Sequence, residues 1–551
     1  MNLKPNKALI IIIIFILILI GTFLRIFNIS PLKIYPDSYQ NILVAENIRN
    51  YQNVVGYLGK EGMLYPPFVM WSRPVFPLLI NLFGIFTKNY IKTAQVISLF
   101  SGILAIPLTY FFIKKIFSST KAAIFGSMLL ALSFNHTVWG GFILTETLGV
   151  LALTLFLLSL FYNLENKSAF ANIKDIITGI LFSLAVFTRY EYFIFIIPTI
   201  FLIIQNKITP AAKLLNITLS FFLLSAFFLI QLFPIKSTIS ASLEQLPRIL
   251  TAGGIILLIT FFAILILKKI QKNHEKKLIF ILIFIIVVSA AYLVLQIIFK
   301  FSFLNKELSG IREFFKTDFL LAIFFFIGII QFLNSQKSKL LGYFVLLSII
   351  TLAPFYYLVN PEMQRYYTHL IPIFLIPSSY ALAKLNTKKY AYLFVVIILV
   401  ISQIFITYEG IRNWKNKAWF EVSYEEKAAK LIDSRIKKNE NTILIVSLPE
   451  PYYLYTKMLT QSISDSYPHV FIDKSSDSYE IFIIQDMGMH YVFPNFSNFL
   501  DKNMQPYKID EFYIKNNFAY GPYILQEKYP INIYTTTLKN LKELINKQNL
   551  P

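Results

Sequence analysis

The sequence predicts a polytopic α-helical membrane protein that ends in a small α/β domain. Three observations carry that expectation. Of the 551 residues, 56% are hydrophobic and only 15% charged, with a mean hydropathy of +0.60, whereas soluble domains carry about 25% charge. Apolar runs long enough to cross a bilayer recur about thirteen times before residue 409. From about Asn413 these runs stop, and short segments of alternating character replace them.

The first run, 8–27, could pass for a signal peptide, but no small-residue cleavage site follows it and the rest of the chain is itself apolar, so it reads as a retained span. A long loop, 28–91, follows. Within it Pro74 to Phe86 is apolar but too short to cross, which predicts an interfacial or re-entrant segment. The remaining spans are expected at 92–113, 121–138, 146–162, 175–188, 191–204, 213–234, 249–267, 278–299, 319–333, 340–358, 367–383 and 390–408.

The net charge of +21 would suggest nucleic acid in a soluble protein. Here Lys sits between apolar runs, where it sets topology and attracts anionic membrane lipid, so nucleic acid is not an expected partner. The positive-inside rule puts the N-terminus in the cytoplasm of a multi-pass cell-membrane protein, with loop 28–91 and everything after Glu409 extracytoplasmic. That parity gathers every Arg (25, 49, 73, 189, 248, 312, 365, 412 and 435) on or beside the outer face, while the inner loops hold Lys alone. Guanidinium is the better bidentate phosphate ligand. Charges are confined to span ends, which argues for chemistry at the surface rather than ion-coupled transport. There is no Cys, so thiol catalysis and disulfides are excluded.

Two domains are expected, 1–412 in the membrane and 413–551 on the outer face. In the second, 424–440 reads as an amphipathic helix, 442–447 and 479–486 as strands, 451–458 as a Tyr-rich helical turn and 538–548 as a helix. It carries no Gly-rich phosphate loop and no metal-ligand spacing.

Four outer-face stretches carry candidate chemistry. Asp37, in YPDSYQNILVAEN, lies at a helix start with Glu46 further on, and WSRPVFPLL adds Arg73. WGGFILTETLG places Thr145 and Glu146 at a span mouth near His136 and Trp139. FTRYEYF is a tight turn with Arg189, Tyr190 and Glu191. NPEMQRYYTHLIP brings Glu362, Arg365, Tyr366, Tyr367 and His369 together. Each has a plainer reading. Asp37 is a helix cap, Glu146 a helix-start charge, and the Arg and Trp residues are interfacial anchors. Two carboxylates and several Arg on one face also match what transfer from a phosphate leaving group needs, a base for an acceptor hydroxyl and fixed positive charge for the departing phosphate. A His-rich metal site is weakly supported.

At these residues the sequence resembles the GT-C superfamily of integral-membrane glycosyltransferases, in the branch of protein O-mannosyltransferases and the lipid A aminoarabinose transferase. The resemblance rests on Asp37, Tyr39 and Ala45, on R-P-x-x-P (Arg73, Pro74, Pro77), on Thr145-Glu146, on T-R-x-E (Thr188, Arg189, Glu191) and on R-Y-x-x-H-x-x-P (Arg365, Tyr366, His369, Pro372), in that order. It implies a GT-C-like fold, a polyprenyl-phosphate sugar donor, reaction at the non-cytoplasmic face, Asp37 as general base and Glu146 as second acid. Many members carry Asp-Glu at the first position. Here Ser38 follows Asp37, which leaves any role of that Glu, metal ligation included, open. No W-W-D motif is present, which argues against an oligosaccharyltransferase catalytic subunit.

The expected function is that of an inverting-type membrane hexosyl- or pentosyltransferase acting on a glycan, lipid or protein acceptor. Asp37 and Glu146 are its catalytic candidates, with Arg73, Arg189, Glu191, Arg365, Tyr366 and His369 for substrate. No cofactor is called for, a divalent metal being left open. The alternative is a non-enzymatic lipid-linked glycan transporter or membrane assembly factor.

Overall fold

The computed structural model describes residues 7–29, 36–51, 73–164, 173–205, 216–221, 223–225, 309–335, 338–359, 364–385, 389–416, 424–437, 442–447, 449–462, 480–515 and 528–547. The expected spans 249–267 and 278–299 lie outside the described residues, as does much of 213–234. The chain forms two compact units, one of Met1–Ile20, Ile103–His136 and Gly149–Ile404, the other of Gly21–Gly102, Thr137–Leu148 and Phe405–Pro551.

Helices form where the apolar runs were read. In chain order they are α1 (Lys7–Ile29), α2 (Pro36–Tyr51), α3 (Val75–Thr87), α4 (Tyr90–Phe117), α5 (Thr120–Leu132), α6 (Phe134–Gly140), α7 (Glu146–Leu164), α8 (Ile173–Thr188) and α9 (Ile196–Gln205). After the interval that is not described come α10 (Ser309–Thr317), α11 (Phe319–Asn334), α12 (Lys339–Val359), α13 (Ile371–Lys384) and α14 (Lys389–Asn416). Short 3-10 turns, Tyr190–Phe195 and Gln364–Leu370, lead into α9 and α13.

Among the described residues α1, α4 and α7 are each long and apolar enough to cross a membrane, and the pair α5 and α6, bent by 52°, makes a fourth candidate. Large apolar side chains stand exposed on α1 (Phe15, Phe23), α4 (Phe100, Phe111), α11 (Phe326) and α14 (Phe405). In water that would be a liability, whereas in lipid it is the ordinary surface. The short segment after Pro74 is a helix of 13 residues, α3, with Phe86 80% exposed at its end. That length falls short of a crossing.

Within the first unit, the bend between α5 and α6 is held by one carboxylate. Asp318, just ahead of α11, accepts from the Ser133 hydroxyl at 2.9 Å, the Phe134 N–H at 2.7 Å, the Asn135 N–H at 3.3 Å and the Asn135 side-chain amide at 2.7 Å. Breaking a helix exposes its first N–H groups, and in a lipid-surrounded body these need internal acceptors. Nearby, α11 and α13 approach closely at Gly328, where a Cβ would meet the Pro377 backbone, and the Ser378 hydroxyl donates across to the Leu321 carbonyl at 2.9 Å. Small residues and hydroxyls at a helix crossing are how membrane helices pack tightly.

The second unit holds the α/β domain. After α15 (Tyr424–Arg435) come β1 (Thr442–Val446), α16 (Pro449–Thr456), β2 (Leu459–Ser462), β3 (Glu480–Gln485), α17 (Met487–Val492), α18 (Pro494–Asn503), β4 (Lys508–Lys515), β5 (Lys528–Thr537) and α19 (Leu538–Lys547). The five strands lie in the order β2-β1-β3-β5-β4. β1 is parallel to β2 and β3, and β5 is antiparallel to both β3 and β4. One face of the sheet packs Leu444, Val446, Phe482 and Ile484 against α15 and α16. The other packs Ile443, Ile445, Ile481 and Ile483 against α17, α18 and α19. The buried run in β1 is what a central parallel strand covered on both faces requires.

Candidate functional site

In the second unit, the start of α7 is fixed from several sides. The Asn28 side-chain amide donates to the carbonyls of Thr137 and Val138, each at 2.9 Å. The Ser98 hydroxyl donates to the Leu144 carbonyl at 3.1 Å, and the Thr147 hydroxyl donates back to the Ser98 carbonyl at 2.9 Å. These bonds tie the turn before α7 to α4. Glu146, the first residue of α7, is buried, so its carboxylate lies at the positive end of the helix dipole. Beside it, Arg73 donates from Nη1 to the Thr145 hydroxyl at 3.1 Å. The structure therefore brings Arg73 to the Thr145-Glu146 pair.

Asp37 is the second residue of α2, behind Pro36. This sets it in the first turn rather than at the cap, with Pro in the place that suits a helix start. Its helix packs on α3, where the Asn81 amide donates to the Ala45 carbonyl at 2.8 Å. Glu46, read beside Asp37 in the sequence, is paired instead with Lys457, both carboxylate oxygens lying 3.0 Å from Nζ.

The first unit holds a separate cluster. The backbone leaves α8 at Arg189 in an extended conformation and turns at once into the 3-10 segment Tyr190–Phe195. The Arg189 guanidinium meets Glu191 at 2.7 Å, their side chains 1% and 4% exposed. The Tyr192 hydroxyl lies 3.2 Å from His369 Nδ1. Arg365 donates from Nη2 to the Tyr366 hydroxyl at 3.1 Å. Both guanidiniums stand over the Tyr366 ring, Arg189 at 5.8 Å and Arg365 at 5.0 Å from its centroid. Both distances lie within cation–π range, so one ring faces two cations. Five of the six residues read as substrate candidates, Arg189, Glu191, Arg365, Tyr366 and His369, thus lie in one cluster, while Arg73 is at Thr145.

Sequence reasoning missed two members. Tyr192 follows Glu191 in the same FTRYEYF stretch, and only the fold shows its contact with His369. Gly149 lies on α7 where a Cβ would come 2.9 Å from Arg189 Cγ, 3.1 Å from the Tyr192 hydroxyl and 3.5 Å from His369 Nδ1. Its signal was the i, i+3 spacing from Glu146 in TETLG, which sets both on one stripe of α7. His136 is buried on α6, its backbone N–H donating to the Ser133 hydroxyl at 3.2 Å. Among the described residues no three His, Asp or Glu side chains gather as a metal site.

Helices long and apolar enough to cross a membrane, followed by a C-terminal α/β domain, give the architecture of a polytopic membrane protein. Residues 67–234 match the family Dolichyl-phosphate-mannose-protein mannosyltransferase. No curated protein matches the chain. Among solved structures, it is similar to the Archaeoglobus fulgidus oligosaccharyltransferase in the apo form, with 15% identity and a TM-score of 0.60 over 92% of this chain and 73% of that one. It is also similar to AglB of the same organism in complex with an inhibitory peptide and a dolichol-phosphate, with 14% identity and a TM-score of 0.54 over 90% and 71%. A looser likeness is to ArnT from Cupriavidus metallidurans bound to undecaprenyl phosphate, with 10% identity and a TM-score of 0.39 over 96% and 98%. The chain thus shares the fold of the archaeal oligosaccharyltransferase over most of its length, and its family match lies within residues 67–234.

Proposed function

We propose that the protein moves a sugar from a polyprenyl-phosphate donor to an acceptor hydroxyl at the non-cytoplasmic membrane face. The Asp37 carboxylate takes the acceptor O–H proton, and the freed oxygen attacks the anomeric carbon. The bond from that carbon to the phosphate oxygen breaks, and polyprenyl phosphate leaves with the bonding pair. Glu146 orients the acceptor or Asp37, and Arg73, Arg189 and Arg365 hold phosphate, with Glu191, Tyr366 and His369 shaping the donor's surroundings. In this reading residues 1–412 form the transferase domain and 413–551 an extracytoplasmic domain.

The observation that supports this most is the gathering of two buried guanidiniums over one ring, Tyr366. Rigid, planar donors set in advance in a site of low dielectric are what a departing phosphate monoester needs. The family match and the names of the similar structures, one holding a dolichol-phosphate, point to the same donor class.

The test is to incubate membranes containing the protein with a panel of radiolabelled polyprenyl-phosphate sugars and follow which label moves, and onto what. Asp37→Asn should abolish transfer while the protein stays folded and retains donor binding. Turnover by that variant would remove Asp37 from the role of base. Failure of every donor on the panel would favour the transporter or assembly-factor reading.

A further inference from the structure

Asp37 belongs to a short helix that the α/β domain grips at two points. We propose that Tyr455 and Lys457 of that domain are positioning residues for the candidate base; this rests on the function proposed above.

The first grip is at Tyr39, two residues after Asp37. Tyr39 is buried, and its ring meets Tyr455 of α16 edge-on, 6.3 Å between centroids at 81°. The Tyr455 hydroxyl shares hydrogen bonds with the Tyr39 hydroxyl and with the Glu426 carboxylate on α15. Glu426 also accepts from Lys430 at 2.6 Å. A line of hydrogen bonds thus runs from α15 through α16 to α2.

The second grip is at Glu46, seven residues further along α2, where Lys457 bonds both carboxylate oxygens at 3.0 Å. Positions 39 and 46 are two turns apart on one stripe of the helix. Two fixed points on one stripe set both the tilt of α2 and its rotation about its axis, and the backbone of Asp37 follows.

Lys457 occupies unusual backbone. It ends α16 with φ of 56°, its N–H bonded to the Tyr453 carbonyl at 2.9 Å. Gly is the usual residue in this left-handed helix-ending position, because a Cβ is strained there. The ion pair is half exposed, with Lys457 at 52% and Glu46 at 24%, and such pairs add little to stability. A strained Lys making a weakly stabilising pair is better understood as fixing a geometry.

This separates activity from stability. Lys457→Gly removes the ammonium and relieves the backbone strain, so the thermal midpoint should hold or rise. Turnover should fall about tenfold with donor KM within about twofold, because displacing a base by even ~1 Å costs rate rather than donor binding. Lys457→Glu should lower kcat further, and adding Glu46→Lys should restore it. The assay uses full-length protein in membranes and the donor identified by label transfer, with Asp37→Asn measured alongside.

An inactive Asp37→Asn together with wild-type kcat in Lys457→Gly, or failure of the charge-swapped pair to recover, would overturn the positioning role and leave the base intact. An active Asp37→Asn would overturn the base and this inference with it.

Discussion

The Arg189 guanidinium and the Glu191 carboxylate, two residues apart across the end of α8, meet at 2.7 Å with almost no exposure to solvent. The guanidinium proposed above to hold phosphate is therefore already partly neutralised by its own neighbour. Removing either half of the pair unbalances the charge of this buried cluster.

Removing one partner strands the other charge in a buried site. Glu191→Gln should destabilise the protein by about 3–5 kcal/mol, while a double change of Arg189→Met with Glu191→Leu should cost less than either single change. Thermal unfolding of the purified protein in detergent gives the comparison, and a double variant worse than both singles would contradict it.

Gly149 is packed against the same arginine. Gly149→Ala should raise local helix propensity by up to about 1 kcal/mol yet push Arg189 and Tyr192 aside, since a Cβ there lies 2.9 Å from Arg189 Cγ. Transfer should fall at least about tenfold, as ångström-scale displacements of positioning groups do. Label transfer and unfolding measured on one preparation separate the two effects.

Asp318 caps the break between α5 and α6 with four accepted hydrogen bonds. Asp318→Ala should cost about 3 kcal/mol or more, because buried donors are left unmet, and Asp318→Asn should recover part of that. The measurement is the unfolding midpoint in detergent, and equal effects of the two changes would argue against a capping role.

The α/β domain carries a pH signature. Burial raises the Asp486 pKa above the ordinary carboxylate value of 3.8, against opposing hydrogen bonds from the Tyr452 hydroxyl, the Met489 N–H and the Ser447 hydroxyl. Between those two values the folded form binds more protons than the unfolded chain. The stability this contributes is full below pH 3.8 and is lost as pH rises through the raised value. Asp486→Asn should flatten that fall, as followed by denaturation across the acid range.

Much of the fold was legible because its driving pattern is local. The membrane helices follow the apolar runs, and the short run from Pro74 to Phe86 returns as the 13 residues of α3. The same holds for β1 and β3, whose Ile and Leu runs announce central strands. The break at Ser133 was not legible, since the carboxylate that satisfies it comes from Asp318 on a distant segment. Nor were β4 and β5, where Lys, Asp, Asn and Pro dilute the alternation and cross-strand pairing decides. The amphipathic helix α10 was missed for want of an apolar run.

Within the site, Arg189 and Glu191 could be read from T-R-x-E because the contact spans two residues. Arg365 and Tyr366 are sequence neighbours and could be read the same way. Gly149 and Tyr192 matter only through tertiary packing. The pairing of Glu46 with Lys457 crosses 411 positions and leaves no local trace.

The cap on α6 also bears on how the protein is made. Asp318 lies 184 positions after the Phe134 amide it satisfies, a stretch that takes about 10–40 s to translate at 5–20 residues per second. Until Asp318 has been synthesised the Phe134 and Asn135 N–H groups lack the acceptor that the fold gives them, so the bend between α5 and α6 is completed by a segment made long after it.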